Sequence, residues 1–162
     1  VYQNEQFRYL TEKLNGYITG AYVYNKMGLT EQVATTITIA TPNPVRRFRF
    51  KNLDIECVKA YCMVYPDESL VPYLRLLDAI KDMKRIPGTT GQDIYNRVKS
   101  QYFNGYSLPE LEKIVSLAKS YPPRVRKVVA DILGDIRQTV LQTEMAKTIL
   151  PTTRFNLDYK TA

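Results

Sequence analysis

The chain has 162 residues, 44% hydrophobic and 24% charged, the composition of a folded domain and not of a disordered segment. It carries 23 Lys and Arg against 16 Asp and Glu, a net charge of +7, with no His and no Trp. Without His, the Ser-His-Asp and Cys-His nucleophile systems and the common His-ligated metal sites are excluded, and no apolar run reaches the roughly 18 residues of a spanning helix.

In chain order, residues 5–15 are predicted as a short helix, because Phe7, Leu10 and Leu14 recur on one face. A second short helix is predicted over Ala21–Met27, with Thr19 as N-cap and Gly28 as its stop. The period then falls to two: Thr36-Ile37-Thr38-Ile39 reads as a half-buried strand, broken by Pro42 and Pro44. Val45–Phe50 and Leu53–Ala60 read as two strands joined at Lys51-Asn52. With Phe50 opposite Leu53, Phe48 faces Ile55 on the buried side, while Arg49 meets Asp54 and Arg47 meets Glu56 on the other. Apolar and charged patterns thus agree on one register.

From Leu70 the pattern turns helical. Leu70, Tyr73, Leu74, Leu77, Ile80 and Met83 trace one face, with Pro72 in the first turn and Pro87-Gly88 as the stop. Gln92–Phe103 is predicted as a further helix that turns Ile94, Tyr95, Val98 and Tyr102 inward and ends at Asn104-Gly105. Ser107 and Glu110 form a capping box ahead of the stripe Leu111, Ile114, Val115 and Ala118. After Pro122-Pro123, another helix presents Val125, Val128, Val129, Ile132, Leu133 and Ile136, with Gly134 placed to kink or end it. A weak amphipathic pattern continues through Val140, Leu141 and Ile149 to Pro151, and residues 152–162 are expected to be extended. The fold class is α+β, with a small antiparallel or mixed sheet in the first half and a mainly helical second half.

Cys57 and Cys62, the two thiols, lie five residues apart on one extended segment and so point to opposite faces, which disfavours a mutual disulfide and fits a reduced, cytoplasmic protein. Asp78 and Asp82, one helical turn apart, have no third ligand at a recognisable spacing, so helix-surface charge or a packing hydrogen bond is the better reading than a metal site. Gly88 and Gly91 lack the spacing of a phosphate loop. No catalytic, cofactor or metal residue is expected. The 13 Tyr suit core and interface packing better than base stacking.

The positive charge is concentrated. Residues 45–66 carry five bases and two acids, and residues 97–127 carry seven bases and two acids. Arg46, Arg47, Arg49 and Lys51 form one candidate contact to a phosphate backbone, and Lys119, Arg124, Arg126 and Lys127 form a second beside a helix start. The bland alternatives are a strand face neutralised by Asp54 and Glu56, which would leave Arg46 and Lys51 as the better contacts, and a solvated basic surface.

Three ordered stretches resemble a known family. Tyr17-Ile18-Thr19-Gly20-Ala21-Tyr22, continuing through Gly28-Leu29-Thr30 and Gln32-Val33 to Ile37-Thr38-Ile39, resembles the start of the AbiEi-type antitoxin domain. Leu76-Leu77-Asp78-Ala79-Ile80-Lys81-Asp82 resembles that family's Leu-Leu-Asp-Ala helix. Leu117-Ala118-Lys119-Ser120-Tyr121 with Pro122-Pro123-Arg124-Val125 resembles its closing helix pair. The resemblance implies a division into an N-terminal helix or linker at 1–16, an antitoxin domain at 17–137, and a helical extension and tail at 138–162. It also implies a noncatalytic antitoxin and transcriptional regulator of a bacterial type IV (abortive infection) toxin–antitoxin system. Its implied partners are promoter DNA and a nucleotidyltransferase-like toxin, with no membrane involved. Members also carry a winged helix-turn-helix, which the residues ahead of Tyr17 are too few to form, so DNA contact by this stretch is expected to be weak and nonspecific. The alternative is a protein-interaction module without DNA binding.

Overall fold

The change of hydrophobic period near residue 70 marks a change of architecture. The computed structural model describes residues 2–42, 46–62 and 67–162 and divides into two compact units, 1–75 and 76–162. In the first unit, helix α1 (Tyr2–Leu14) is followed by strand β1 (Tyr17–Thr19), helix α2 (Ala21–Lys26), and strands β2 (Thr36–Thr41), β3 (Arg47–Phe50) and β4 (Leu53–Lys59). The strands form one mixed sheet in the order β1-β2-β4-β3, with β2 and β4 parallel and both outer pairs antiparallel. Alternation along the strands sends Ile18, Ile37, Ile39, Ile55 and Cys57 to one face, where Leu10 and Leu14 of α1 and Val23 of α2 complete the buried cluster. Asn15, at φ 53, ends α1 in the left-handed conformation. The buried Thr41 hydroxyl donates to the Leu14 carbonyl (2.5 Å), satisfying one of the acceptors a helix end leaves open.

The hairpin has the register its charges require: Arg47 opposite Glu56, Phe48 opposite Ile55, Arg49 opposite Asp54 and Phe50 opposite Leu53. The expectations for Pro44 and Val45 lie outside the described residues. Thr19 is not the cap of the second helix. It closes β1, opposite Thr38, and Gly20 is the N-cap. Gly20 takes φ 80 and ψ −166, a region almost confined to glycine, and a Cβ there would lie 2.6 Å from the Thr38 side chain. This strand-to-helix corner therefore needs a residue without a side chain.

Helix α3 (Val71–Lys81) follows a single 3-10 turn at Glu68–Leu70. Helices α4 (Gly91–Gln101), α5 (Leu108–Ala118), α6 (Pro123–Asp135) and α7 (Thr139–Ala146) complete the second unit. Thr90 caps α4 by accepting from the Asp93 N–H (3.1 Å), and Ser107 and Glu110 form the expected capping box on α5. The predicted stripes are buried: Ile94, Tyr95 and Val98 on α4, Leu111, Ile114, Val115 and Ala118 on α5, and Val125, Val128, Val129, Ile132 and Leu133 on α6. Gly134 lies one residue from the end of α6 and does not break it.

Two polar anchors are set into this apolar packing. Asp78 of α3, 3% exposed, accepts the Tyr121 hydroxyl at 2.7 Å. Asp135, at the end of α6, accepts from the Tyr95 hydroxyl (2.7 Å), Lys99 (3.1 Å) and the Ala162 N–H (3.1 Å). Burial works to raise the Asp135 carboxyl, but the hydrogen bonds from Tyr95, Ala162 and Lys99 outweigh it and hold it below the usual aspartate range. Burial, reinforced by the bond to Asp135, pushes the Tyr95 phenol well above its ordinary value. Residues 152–162 contain no helix or strand and lie against α4 and α6, where Tyr159 is buried. Among the described residues, no helix is long and apolar enough to cross a membrane.

Candidate nucleic-acid interface

The first basic cluster is built by β3, an edge strand whose outward residues are charged. Alternation leaves Arg47 and Arg49 exposed and turns Phe48 and Phe50 toward the core. Arg47 pairs with Glu56 at 2.6 Å and Arg49 with Asp54 at 3.3 Å, which neutralises the middle of the strand. At the two ends cations also lie over rings: the Arg46 guanidinium is 4.8 Å from the centroid of Phe48, and the Lys51 ammonium 5.6 Å from that of Phe50. A cation over an aromatic face keeps its charge. The ring series extends to α1, where Tyr9 stacks on Phe50 at 5.5 Å and Lys13 lies 5.6 Å from the Tyr9 centroid. Arg46, Lys51 and Lys13 therefore share one basic, aromatic-backed surface. Tyr9 and Lys13 were not distinguishable in the sequence from any other exposed helix residues.

The second cluster is differently employed. Lys119 pairs with Glu144 of α7 (2.9 Å), Arg124 with Asp158 (3.1 Å) and Lys127 with Asp131 (3.0 Å). Arg126 donates through Nε to the Tyr121 carbonyl (3.0 Å) and through its terminal nitrogen to the Thr148 carbonyl. These four bases have no acid among them in the sequence, yet three form ion pairs and the fourth ties two loops. The two clusters belong to different units of the chain.

Other chemistry-bearing residues have structural partners. Asp82 is 3.8 Å from Lys81 and 3.6 Å from Arg85, and Asp78 faces Tyr121. Among the described residues no group of three His, Cys, Asp or Glu is arranged to hold a metal. Neither Cys57 nor Cys62 is in a disulfide, and Cys57 is buried. Burial pushes the Cys57 thiol up, against an opposing pull from Arg46. A cleft of about 440 Å³ opens in the first unit, with Glu12, Asp67 and Glu68 among its lining residues. Its acidic lining has the wrong sign for nucleic acid.

Compared with protein-family models, curated proteins and solved structures, the chain matches none.

Proposed function

We propose that the chain is a noncatalytic antitoxin and transcriptional-regulator domain of the AbiEi type, acting in a bacterial type IV toxin–antitoxin system in the cytoplasm. Its role is to counter a nucleotidyltransferase-like toxin and to assist binding to promoter DNA. The observation that carries this reading is the Asp78–Tyr121 hydrogen bond. It joins, in the core of the second unit, two of the three stretches on which the resemblance rests. The third stretch supplies Gly20, whose lack of a side chain the β1–α2 corner requires. Residues of all three stretches thus take structural positions in the fold, which is the support this reading has from packing.

The regulatory half of the proposal rests on the hairpin. Arg46 and Lys51 would contact phosphates, which positions a protein on DNA without reading sequence. Phosphate contacts carry no sequence information, so binding through this surface is expected to be weak, sequence-tolerant and steeply salt-dependent. A salt titration on duplex DNA tests this: Arg46→Glu with Lys51→Glu should weaken binding and flatten the salt slope by about one for each phosphate no longer neutralised. Unchanged binding by the double variant would remove the hairpin from the interface.

The second reading, a protein-interaction module without DNA binding, is favoured by the ion pairs of Lys119, Arg124 and Lys127. Salt-insensitive or absent DNA binding by the wild-type chain, with growth still rescued from the toxin, would select it.

A further inference from the structure

The segment 158–162 has no regular structure, yet it is held at nearly every residue. The Asp158 carboxylate accepts from Arg124 at 3.1 Å and lies over Gly91, the first residue of α4, where a Cβ would collide with it. An acidic group there also meets the positive end of the α4 dipole. The Tyr159 ring stacks on Tyr95, centroids 4.3 Å apart at 11°, and its hydroxyl donates to Asp131 at 2.8 Å. Gln92 clamps the main chain of Lys160 from both sides, accepting its N–H (2.6 Å) and donating to its carbonyl (3.3 Å). The Ala162 N–H donates to Asp135.

This is the anatomy of a peptide seat: a pocket for an acidic side chain, a slot for one aromatic ring with a polar end, and main-chain hydrogen bonds that fix the bent backbone beside them. Gly91 is the shape-determining residue, since any larger side chain fills the acidic pocket. Arg124 uses one terminal nitrogen on Asp158, while its buried Nε–H has no acceptor among the described residues. The resident segment therefore leaves donor capacity unfilled. The approach from α7 runs through the exposed Leu150, Pro151, Thr152 and Arg154, so the buried contact of the segment is concentrated at Tyr159.

We propose that the seat formed by α4 and α6 is a peptide-recognition site for a bent segment with an acidic residue followed by Tyr, occupied in cis by residues 158–162 and open in trans to a partner protein that presents the same pattern. The inference is independent of the antitoxin reading. A tethered occupant competes at an effective concentration on the order of millimolar, so a free peptide binds measurably only when the cis occupant is weakened.

The test uses the full chain with Tyr159→Ala and a fluorescent, C-terminally amidated peptide spanning residues 154–162, followed by anisotropy. The peptide is expected to bind this variant at least about ten-fold more tightly than the wild type. Adding Gly91→Ala, which suits a helix but blocks the acidic pocket, should abolish the gain, as should replacing the peptide's tyrosine by alanine. Asp158→Arg, which sets a cation against Arg124 without emptying the core, gives a second chain with a weakened occupant and should also show the gain. Equal affinity of wild type and both folded variants, or a gain that survives Gly91→Ala, would overturn the proposal. Should Tyr159→Ala fail to fold, the Asp158→Arg chain alone decides it.

Discussion

Removing one oxygen from Tyr121 isolates the Asp78–Tyr121 bond. In Tyr121→Phe the ring and its packing stay, while Asp78, 3% exposed, loses a donor that stands 2.7 Å from its carboxylate. A hydrogen bond to a charged group contributes about 1.5–3 kcal/mol. For a chain of this size each kcal/mol moves the melting temperature by about 2–4 °C, so the expected drop lies between about 3 and 12 °C. Thermal unfolding followed by circular dichroism measures it. Tyr9→Phe, on the half-exposed Tyr9, is the control and should stay within about 0.5 kcal/mol. A double-mutant cycle with Asp78→Asn should return a coupling of at least about 1 kcal/mol, because the two residues touch. A Tyr121→Phe cost below about 0.5 kcal/mol would refute the reasoning, since a bond that contributes nothing cannot explain why both motifs carry its partners.

Lys51 turns the hairpin at φ 54, a conformation that glycine adopts without strain, so Lys51→Gly should raise stability by about 0.5–1 kcal/mol, read as a higher denaturant midpoint. Burial, with the hydrogen bonds to Asp135 and Asp131, raises the phenols of Tyr95 and Tyr159 above 10.0, so their contribution is complete below pH 10 and is lost as pH rises beyond it. An alkaline unfolding titration should therefore show a stability decline from about pH 10 that is shallower in Tyr159→Phe. Asp135 has the opposite sign: its carboxyl is held below 3.8, so its contribution is complete above that pH and is lost as acid is added below it. In thiol labelling of the native chain, Cys62 should react first, and the buried Cys57 only on unfolding.

The parts of the fold legible in the sequence are those where two patterns coincide. The β3–β4 register follows because alternating Phe and Ile and alternating Arg and acid select the same pairing. The helices of the second unit follow from stripes of four to six apolar residues bounded by Pro, Gly or a capping box. Strand β1 was not legible, since three residues carry no measurable period and Thr19 next to Gly20 looks like a helix cap. The candidate site was legible in outline only. Arg47 and Arg49 have their partners within nine residues, along a hairpin whose register is readable. Glu144 and Asp158, which neutralise Lys119 and Arg124, lie 25 and 34 residues away, and nothing local announces them. The seating of Tyr159 on Tyr95 was invisible for the same reason: an irregular segment docked by isolated side chains has no periodicity to read.

Growth rescue is the most direct measurement of the central claim. The proposed function calls for a nucleotidyltransferase-like toxin as partner, and the chain is coexpressed with such a toxin from a promoter it does not regulate, so that repression cannot imitate protection. Residues 1–162 are predicted to restore growth, and Arg46→Glu with Lys51→Glu to leave that rescue intact while weakening DNA binding. A folded chain that never restores growth would contradict the antitoxin assignment.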